Sequence, residues 1–357
     1  MRVALVGLPY SGKSTLFAAV AEAGGSHVHV ERPDQEHLAV VKVPDERLAW
    51  VEGLFKPKKR VHAELEFVDV PGLDLSDEAG RQRGRAHWAA VRQSAMIVFV
   101  VRDFHAADVP AYRGRVDVAA DLDDLKAELL FSDLEQTAAR IEKLEAALKR
   151  PSPDRDAQQH ELALMRRLQE TLESETPISE AIGSPAEDKL VRAFAFLTLK
   201  PAMVVVNCDE DAVPHDAPAA AVGGYPAVHL SAKIEEEIAS LPAADRGEFL
   251  KAMGIETAAR DRLIRSCYEA MHLVSFFTVN DNECRAWTVP AGTDATTAAG
   301  EVHTDMARGF IRAEVVAFDD LQAAGDVKAA RAAGTYRLEG KDYLVQDGDV
   351  IHFRFSV

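Results

Sequence analysis

The stretch Gly7-Leu-Pro-Tyr-Ser-Gly-Lys-Ser-Thr15 constrains this chain more than any other, because it fits G-x-x-x-x-G-K-[ST]. Arg2–Val6 before it is a short apolar run that predicts a strand, and Leu16–Ala23 after it predicts a helix. A glycine-rich turn between strand and helix is the context the motif needs. Its glycines let backbone N–H groups converge on phosphate oxygens, and the helix N-terminus adds positive potential. Tyr10, Ser11, Gly12, Lys13, Ser14 and Thr15 are therefore expected to hold the phosphates of a nucleotide. Lys13 is expected to reach the β- and γ-phosphates, and the Ser14 hydroxyl to ligate Mg²⁺.

Further apolar runs set the architecture. Glu64–Val70 alternates and ends in Pro71-Gly72, while Met96–Arg102, Ala202–Asn207 and Ala227–Leu230 read as further strands. Met96–Arg102 is continuous enough to be buried on both faces. Strands separated by helical stretches predict an α/β fold with a mostly parallel sheet. Asp69 ends one strand, where a carboxylate can hold Mg²⁺ through water, and the Gly72 N–H can then meet the γ-phosphate. Asn207-Cys-Asp-Glu210 and Ser231-Ala-Lys233 end two later strands. These are positions where guanine-binding proteins carry N-K-x-D and S-A-K. There an Asp carboxylate accepts N1–H and the 2-amino group of guanine. Here the fourth residue is Glu210, one methylene longer, and Cys208 replaces the Lys, so the pocket is expected to tolerate or prefer adenine. Loss of such a paired contact shifts discrimination by roughly 10³-fold or more.

Residues 121–200 interrupt the alternation. Leu134, Thr137, Ile141, Leu144 and Leu148 are spaced 3, 4, 3 and 4, a coiled-coil seam. Pro151-Ser-Pro153 breaks it, and Leu162, Met165, Leu168 and Leu172 share a second helical face. This predicts an antiparallel helical hairpin inserted in the α/β domain. After residue 274 the chain turns β-rich. Ser275–Val279 and Arg285–Val289 predict strands joined at Asn280-Asp-Asn282, and the tail predicts three strands with turns at Gly340 and Gly348. The expected domains are 1–120 with 201–274, then 121–200, then 275–357.

Composition excludes several classes. No apolar run reaches membrane-spanning length, and the start lacks the long h-region of a signal peptide. Three scattered cysteines suit reduced thiols rather than a disulfide framework or zinc site. The formal charge of −17 opposes broad electrostatic binding to nucleic acid.

Together these residues identify a resemblance to the YchF/Obg-like ATPases. It rests on GLPYSGKST, KPKK (56–59), EFVDVPGL (66–73), VVR followed by Phe104, FLTLKP (196–201), N-x-x-E, SAKIEEEIASL (231–241), RAWTVPAGT (285–293) and HTDMARGFIRAEV (303–315). YRLEGKDYLVQDGDVIHFRF (336–355) resembles the β-grasp, ubiquitin-like TGS domain that closes that family. The resemblance implies a P-loop NTPase domain with an inserted hairpin and a C-terminal TGS domain. It further implies a cytoplasmic protein that uses ATP, with GTP as alternative, and Mg²⁺, on a ribosome or ribosomal subunit, with neither membrane nor DNA as partner.

The chain also departs from that family. Residues 24–40 replace the F-x-T-I-x-P-N stretch, and no threonine lies between Thr15 and Thr137, so the usual metal-sensing hydroxyl is absent unless Ser26 substitutes. The second effector loop has fewer glycines and gains Arg81, Arg83 and Arg85, candidates for an internal arginine finger against the alternative of a charged loop. Ala111 stands near the place of the family's downstream His, and His105 lies close by. Leu73 stands where many GTPases place a water-orienting Gln, so no catalytic residue is assigned beyond phosphate stabilisation by Lys13. His27, His29 and His37 fit a solvated loop better than a metal site. Lys56, Lys58, Lys59 and Arg60 form the densest basic run, either an rRNA contact or a solvated turn. Two functions stay open: an ATPase, slow without a partner, and a nucleotide-binding regulatory or scaffold module whose hydrolysis is impaired by the missing threonine.

Overall fold

Arg2–Val6 and Met96–Arg102 present apolar side chains on both faces, so they belong in the middle of a covered sheet, and they pair there. The computed structural model describes residues 1–23, 34–213, 221–253 and 258–356. Two compact units emerge, 1–39 with 66–260 and 40–65 with 261–357. The strands of the first half are β1 (Arg2–Val6), β2 (His37–Lys42), β3 (Lys59–Val61), β4 (Glu64–Asp69), β5 (Met96–Asp103), β6 (Ala202–Cys208), β7 (Ala221–Val222) and β8 (Tyr225–Leu230). Those of the second are β9 (Leu273–Val279), β10 (Glu283–Pro290), β11 (Phe310–Ala317), β12 (Arg337–Glu339) and β13 (Asp349–Phe355).

In the first unit the sheet runs β2-β4-β1-β5-β6-β8-β7. The pairs from β4 through β1, β5 and β6 to β8 are all parallel, and only β7 returns antiparallel on β8. Parallel pairing brings the carboxyl ends of β1, β4, β5, β6 and β8 to one edge. Ligands bind at that edge in open α/β sheets.

Helix Val118–Leu148 serves two cores. Asp117 caps it by accepting the Ala120 N–H at 3.0 Å. Leu122, Leu125 and Leu129 join the core beside the sheet, whereas Ile141 and Leu144 pack on Leu162, Met165, Leu168 and Leu172 of helix Arg155–Glu173. The heptad seam therefore builds the expected hairpin. Arg140 clamps Glu161 with two bonds of 2.7 and 2.9 Å across it.

In the second unit the order is β12-β11-β13-β9-β10-β3. β13 runs parallel to β9, β3 runs parallel to β10, and the remaining pairs are antiparallel. Ala295, Ala298 and Ala299 of helix Ala295–Val302 pack among Phe276, Val315 and Phe353. A helix laid on a sheet whose two central strands are parallel is the β-grasp arrangement. The expected turn at Asn280 forms, with its Oδ1 accepting the Asn282 and Glu283 N–H groups at 2.8 and 2.9 Å.

One expected strand is missing from the tail. Between β12 and β13 the chain makes a single bridge, Leu344 to Asp294. The Tyr343 carbonyl accepts the Ala295 N–H at 2.8 Å, and the Val345 N–H donates to the Thr293 carbonyl at 2.9 Å. Those partners open a helix that Asp294 caps, so the chain opposite turns away before a ladder extends.

Candidate nucleotide site

The 7–15 loop follows β1 and leads into helix Lys13–Ala23. Backbone geometry fits the composition. Gly12 has φ +83°, and a Cβ there would lie 2.1 Å from the Asn207 amide nitrogen. A Cβ on Gly7 would lie 2.6 Å from the Val100 carbonyl. Only glycine allows both approaches. The buried Ser11 hydroxyl has no hydrogen-bond partner, an orphan that a phosphate oxygen would satisfy. Ser14 and Thr15 are half-buried.

Lys13 and Asp69 form a buried ion pair, with side chains 5% and 4% exposed. The expected metal ligand and the expected phosphate-binding cation thus meet each other. β1 and β4 are in register as neighbours, which brings the Asp69 strand end beside the loop. Past Asp69, the Leu73 N–H donates to the Gly7 carbonyl at 3.0 Å, and a Cβ on Gly72 would approach Pro9 Cα at 3.2 Å. Gly72 is therefore held against the phosphate loop.

Asn207 joins two loops. Its Nδ2 donates to the Ser11 carbonyl at 3.0 Å, and its Oδ1 accepts the Ala232 N–H at 2.9 Å. Ser231 caps the helix Ala232–Ser240 through the Ile234 N–H at 3.4 Å. A cavity of about 440 Å³ opens beside them, lined by residues that include Gly12, Phe104, His105, Asn207, Glu210 and Lys233. Cys208 is 3% exposed, and burial pushes its thiol up to about 11, so it is an inert wall residue. Glu210 pairs with Lys233 at 2.7 Å, which holds the ammonium above its usual range. Asp209 accepts the His105 N–H at 3.0 and 3.2 Å, so it points at the β5 loop. Sequence reasoning did not foresee that contact. Its only signal is an acceptor one residue short of Glu210.

The remaining candidates have partners within their own unit. Arg81 pairs with Glu128 at 3.4 Å, Arg83 with Asp74 at 3.7 Å, and Arg85 with Glu135 at 3.4 Å. All three arginines face carboxylates of their own unit. In the second unit Lys58 donates to Asn282 at 2.8 Å, Lys59 pairs with Glu283 at 2.8 Å and Arg60 with Glu52 at 3.0 Å. Two of the four cations, Lys59 and Arg60, are thus paired with carboxylates. Ser26, His27 and His29 lie outside the described residues. Among the described residues no three His, Cys, Asp or Glu side chains gather as a metal cluster, and no helix is long and apolar enough to cross a membrane.

Two family models match. One, described as "50S ribosome-binding GTPase", covers residues 2–130. The other, of the YchF GTPase C-terminal region and described as "Protein of unknown function (DUF933)", covers residues 273–356. The chain is 38% identical to "Ribosome-binding ATPase YchF" of Bacillus subtilis over 99% of its length and 98% of that protein. It is 34% identical to "Obg-like ATPase 1" of Oryza sativa subsp. japonica, over its whole length and 92% of the relative. The solved structure of the Schizosaccharomyces pombe YchF GTPase superimposes with a TM-score of 0.85 at 30% identity, covering 99% of this chain and 97% of that one. A GTP-binding protein from Pyrococcus horikoshii, at 17% identity and a TM-score of 0.58, shares the fold. The parallel sheet, the glycine-bound phosphate loop and the β-grasp module agree with these matches, and the chain belongs to the YchF family of P-loop NTPases.

Proposed function

We propose that this protein binds and hydrolyses ATP with Mg²⁺, slowly on its own, and that a ribosome is the partner on which it cycles. The observation that carries the choice of base is where the two carboxylates after β6 go. Asp209 is committed to His105 and Glu210 to Lys233, so neither stands free to clamp N1–H and the 2-amino group of guanine. Adenine needs no such clamp. Tyr10, Ser11, Gly12, Lys13, Ser14 and Thr15 would cradle the phosphates, with Gly72 at the γ-phosphate. Asn207, Cys208, Glu210, Ser231, Ala232 and Lys233 would wall the base.

The donor set fits Mg²⁺. A hydroxyl (Ser14) and a carboxylate (Asp69) are hard oxygen ligands, and such sites leave the remaining positions to phosphates and water. When bound, the ion would neutralise charge on the β- and γ-phosphates. Lys13 exchanges Asp69 for the phosphates as the nucleotide enters, and then stabilises charge on the transferring group. Leu73 is 1% exposed and carries no polar group, so it orients no water and the intrinsic rate is low. The ribosome reading is supported by the names of the relatives in Bacillus subtilis and Escherichia coli O157:H7.

Turnover of ATP and GTP with Mg²⁺, with and without ribosomes, tests this. The expected result is ATP hydrolysis that ribosomes accelerate. Rates no higher than those of a Lys13→Ala control would instead leave a nucleotide-binding module without hydrolysis. Calorimetry should show ATP binding tighter than GTP, and weaker ATP binding when the metal is chelated. Glu210→Asp together with Cys208→Lys should raise GTP affinity relative to ATP by about tenfold or more, and an unmoved ratio refutes the account of the base cavity.

A further inference from the structure

Residues 104–116, between β5 and the hairpin, link the base cavity to the segment after Gly72. Arg102, buried at the end of β5, donates to the carbonyls of Phe104 at 3.0 Å, Val109 at 3.0 Å and Pro110 at 2.9 Å. Its guanidinium also stacks 4.2 Å over the Phe104 ring. One planar fork of donors thus closes residues 104–110 into a loop. That loop forms a wall of the base cavity through Phe104, His105 and Val109, and Asp209 secures it from β6.

The same segment then reaches the residues directly after Gly72. The Tyr112 hydroxyl donates to Asp74 Oδ1 at 3.1 Å and accepts the Leu75 N–H at 2.6 Å. Arg113 donates to the Leu75 carbonyl. Arg113 and Arg115 are anchored in turn on Asp124, at 3.1 and 2.9 Å. The protonation states suit these bonds. The Ser76 hydroxyl and N–H, with Tyr112, hold the Asp74 carboxyl below its usual range, and burial pushes the Tyr112 hydroxyl up. Tyr112 therefore stays a donor and Asp74 an acceptor near neutral pH.

We propose that residues 104–116 are a strap coupling the base cavity to the γ-phosphate segment, and that Tyr112 is a positioning residue for hydrolysis that acts through Asp74 and Leu75. Leu73 supplies no group to align water, so alignment depends on where the backbone around Gly72 is held. Tyr112 holds it from one side, and the Leu73 N–H on Gly7 holds it from the other. Misplacement of a positioned backbone lowers the rate without loosening the rest of the ligand. This inference rests on the proposed nucleotide hydrolysis.

Tyr112→Phe keeps the ring and removes both hydroxyl bonds. In that variant kcat for Mg-ATP should fall about tenfold or more, while KM rises by no more than about fivefold, in step with triphosphate affinity. Affinity for a non-hydrolysable ATP analogue should fall by about fivefold, the worth of one hydrogen bond, with ADP affinity unchanged, because Gly72 would meet only the γ-phosphate. Wild-type values of both kcat and the analogue-to-ADP affinity ratio would overturn the proposal. So would equal losses of analogue and ADP affinity, which mark general loosening. Adding Asp74→Asn to Tyr112→Phe should cost little more than the single change, and fully additive losses would break the Tyr112–Asp74 link. The affinity ratio is read without turnover, so an enzyme that proves inactive fails the hydrolysis proposal and leaves this test standing.

Discussion

Lys13→Ala should lower turnover by about 10²–10³-fold, the usual consequence of removing one donor that stabilises developing charge. It should also destabilise the nucleotide-free protein, by about 3–5 kcal/mol, because it leaves the Asp69 carboxylate buried without its partner. The second effect follows from the buried pair, in which both side chains are at most 5% exposed. Chemical denaturation without nucleotide measures it, and steady-state hydrolysis measures the first. A double change, Lys13→Met with Asp69→Leu, should recover most of the stability and none of the turnover, since apolar replacement of a buried pair is often neutral or better. A single variant as stable as the parent would mean that the two side chains do not meet in solution.

Asp133→Ala should cost a comparable amount, about 3–5 kcal/mol, at a site remote from the phosphates. Asp133 is fully buried. Its carboxylate accepts from Arg92 at 2.9 Å, the Leu197 N–H at 3.0 Å, the Thr198 N–H at 2.8 Å and the Thr198 hydroxyl at 2.9 Å. Truncation leaves a guanidinium and two backbone donors short of an acceptor. Asp133→Asn retains one carbonyl oxygen and should cost less, about 1–3 kcal/mol. The midpoint of urea unfolding ranks the two. Equal midpoints for Ala and Asn would show that the carbonyl oxygen kept by Asn takes none of these bonds.

The parts of the fold that are legible in sequence are those written in local pattern. The unbroken run Met96–Arg102 marks a central strand, and the 3, 4, 3, 4 spacing from Leu134 to Leu148 marks a helix seam; both form. The phosphate loop is legible because glycine, lysine and serine must stand at fixed offsets within nine residues. The tail strand around Leu344 reads well in isolation and does not form a ladder, because the state of its partner was set by the Asp294 cap some fifty residues earlier. Side-chain pairs between distant segments have no local signature at all. Tyr112 with Asp74 and Asp209 with His105 are joined only once the sheet brings the strand ends together, and Asp133 with Thr198 only once helix Val118–Leu148 packs on the 197–199 turn. The same holds for the base cavity. The sequence shows Glu210 only as an acid one methylene longer than the guanine-binding Asp, and its pairing with Lys233 comes from the adjacency of β6 and β8.

The Asn207 amide, bonded to the phosphate loop on one side and to the 231–233 loop on the other, has a consequence for fragments of the nucleotide. With both loops tied before any ligand arrives, their ordering entropy is met at folding. Each half of the site is complete in the absence of the other. On the proposed assignment, a nucleoside and an inorganic polyphosphate should occupy their halves independently, and the intact nucleotide should gain over the two pieces through the high effective concentration of one half once the other is bound. Removing the Asn207 side chain would unlink the halves, and the advantage of joining the pieces would shrink with it.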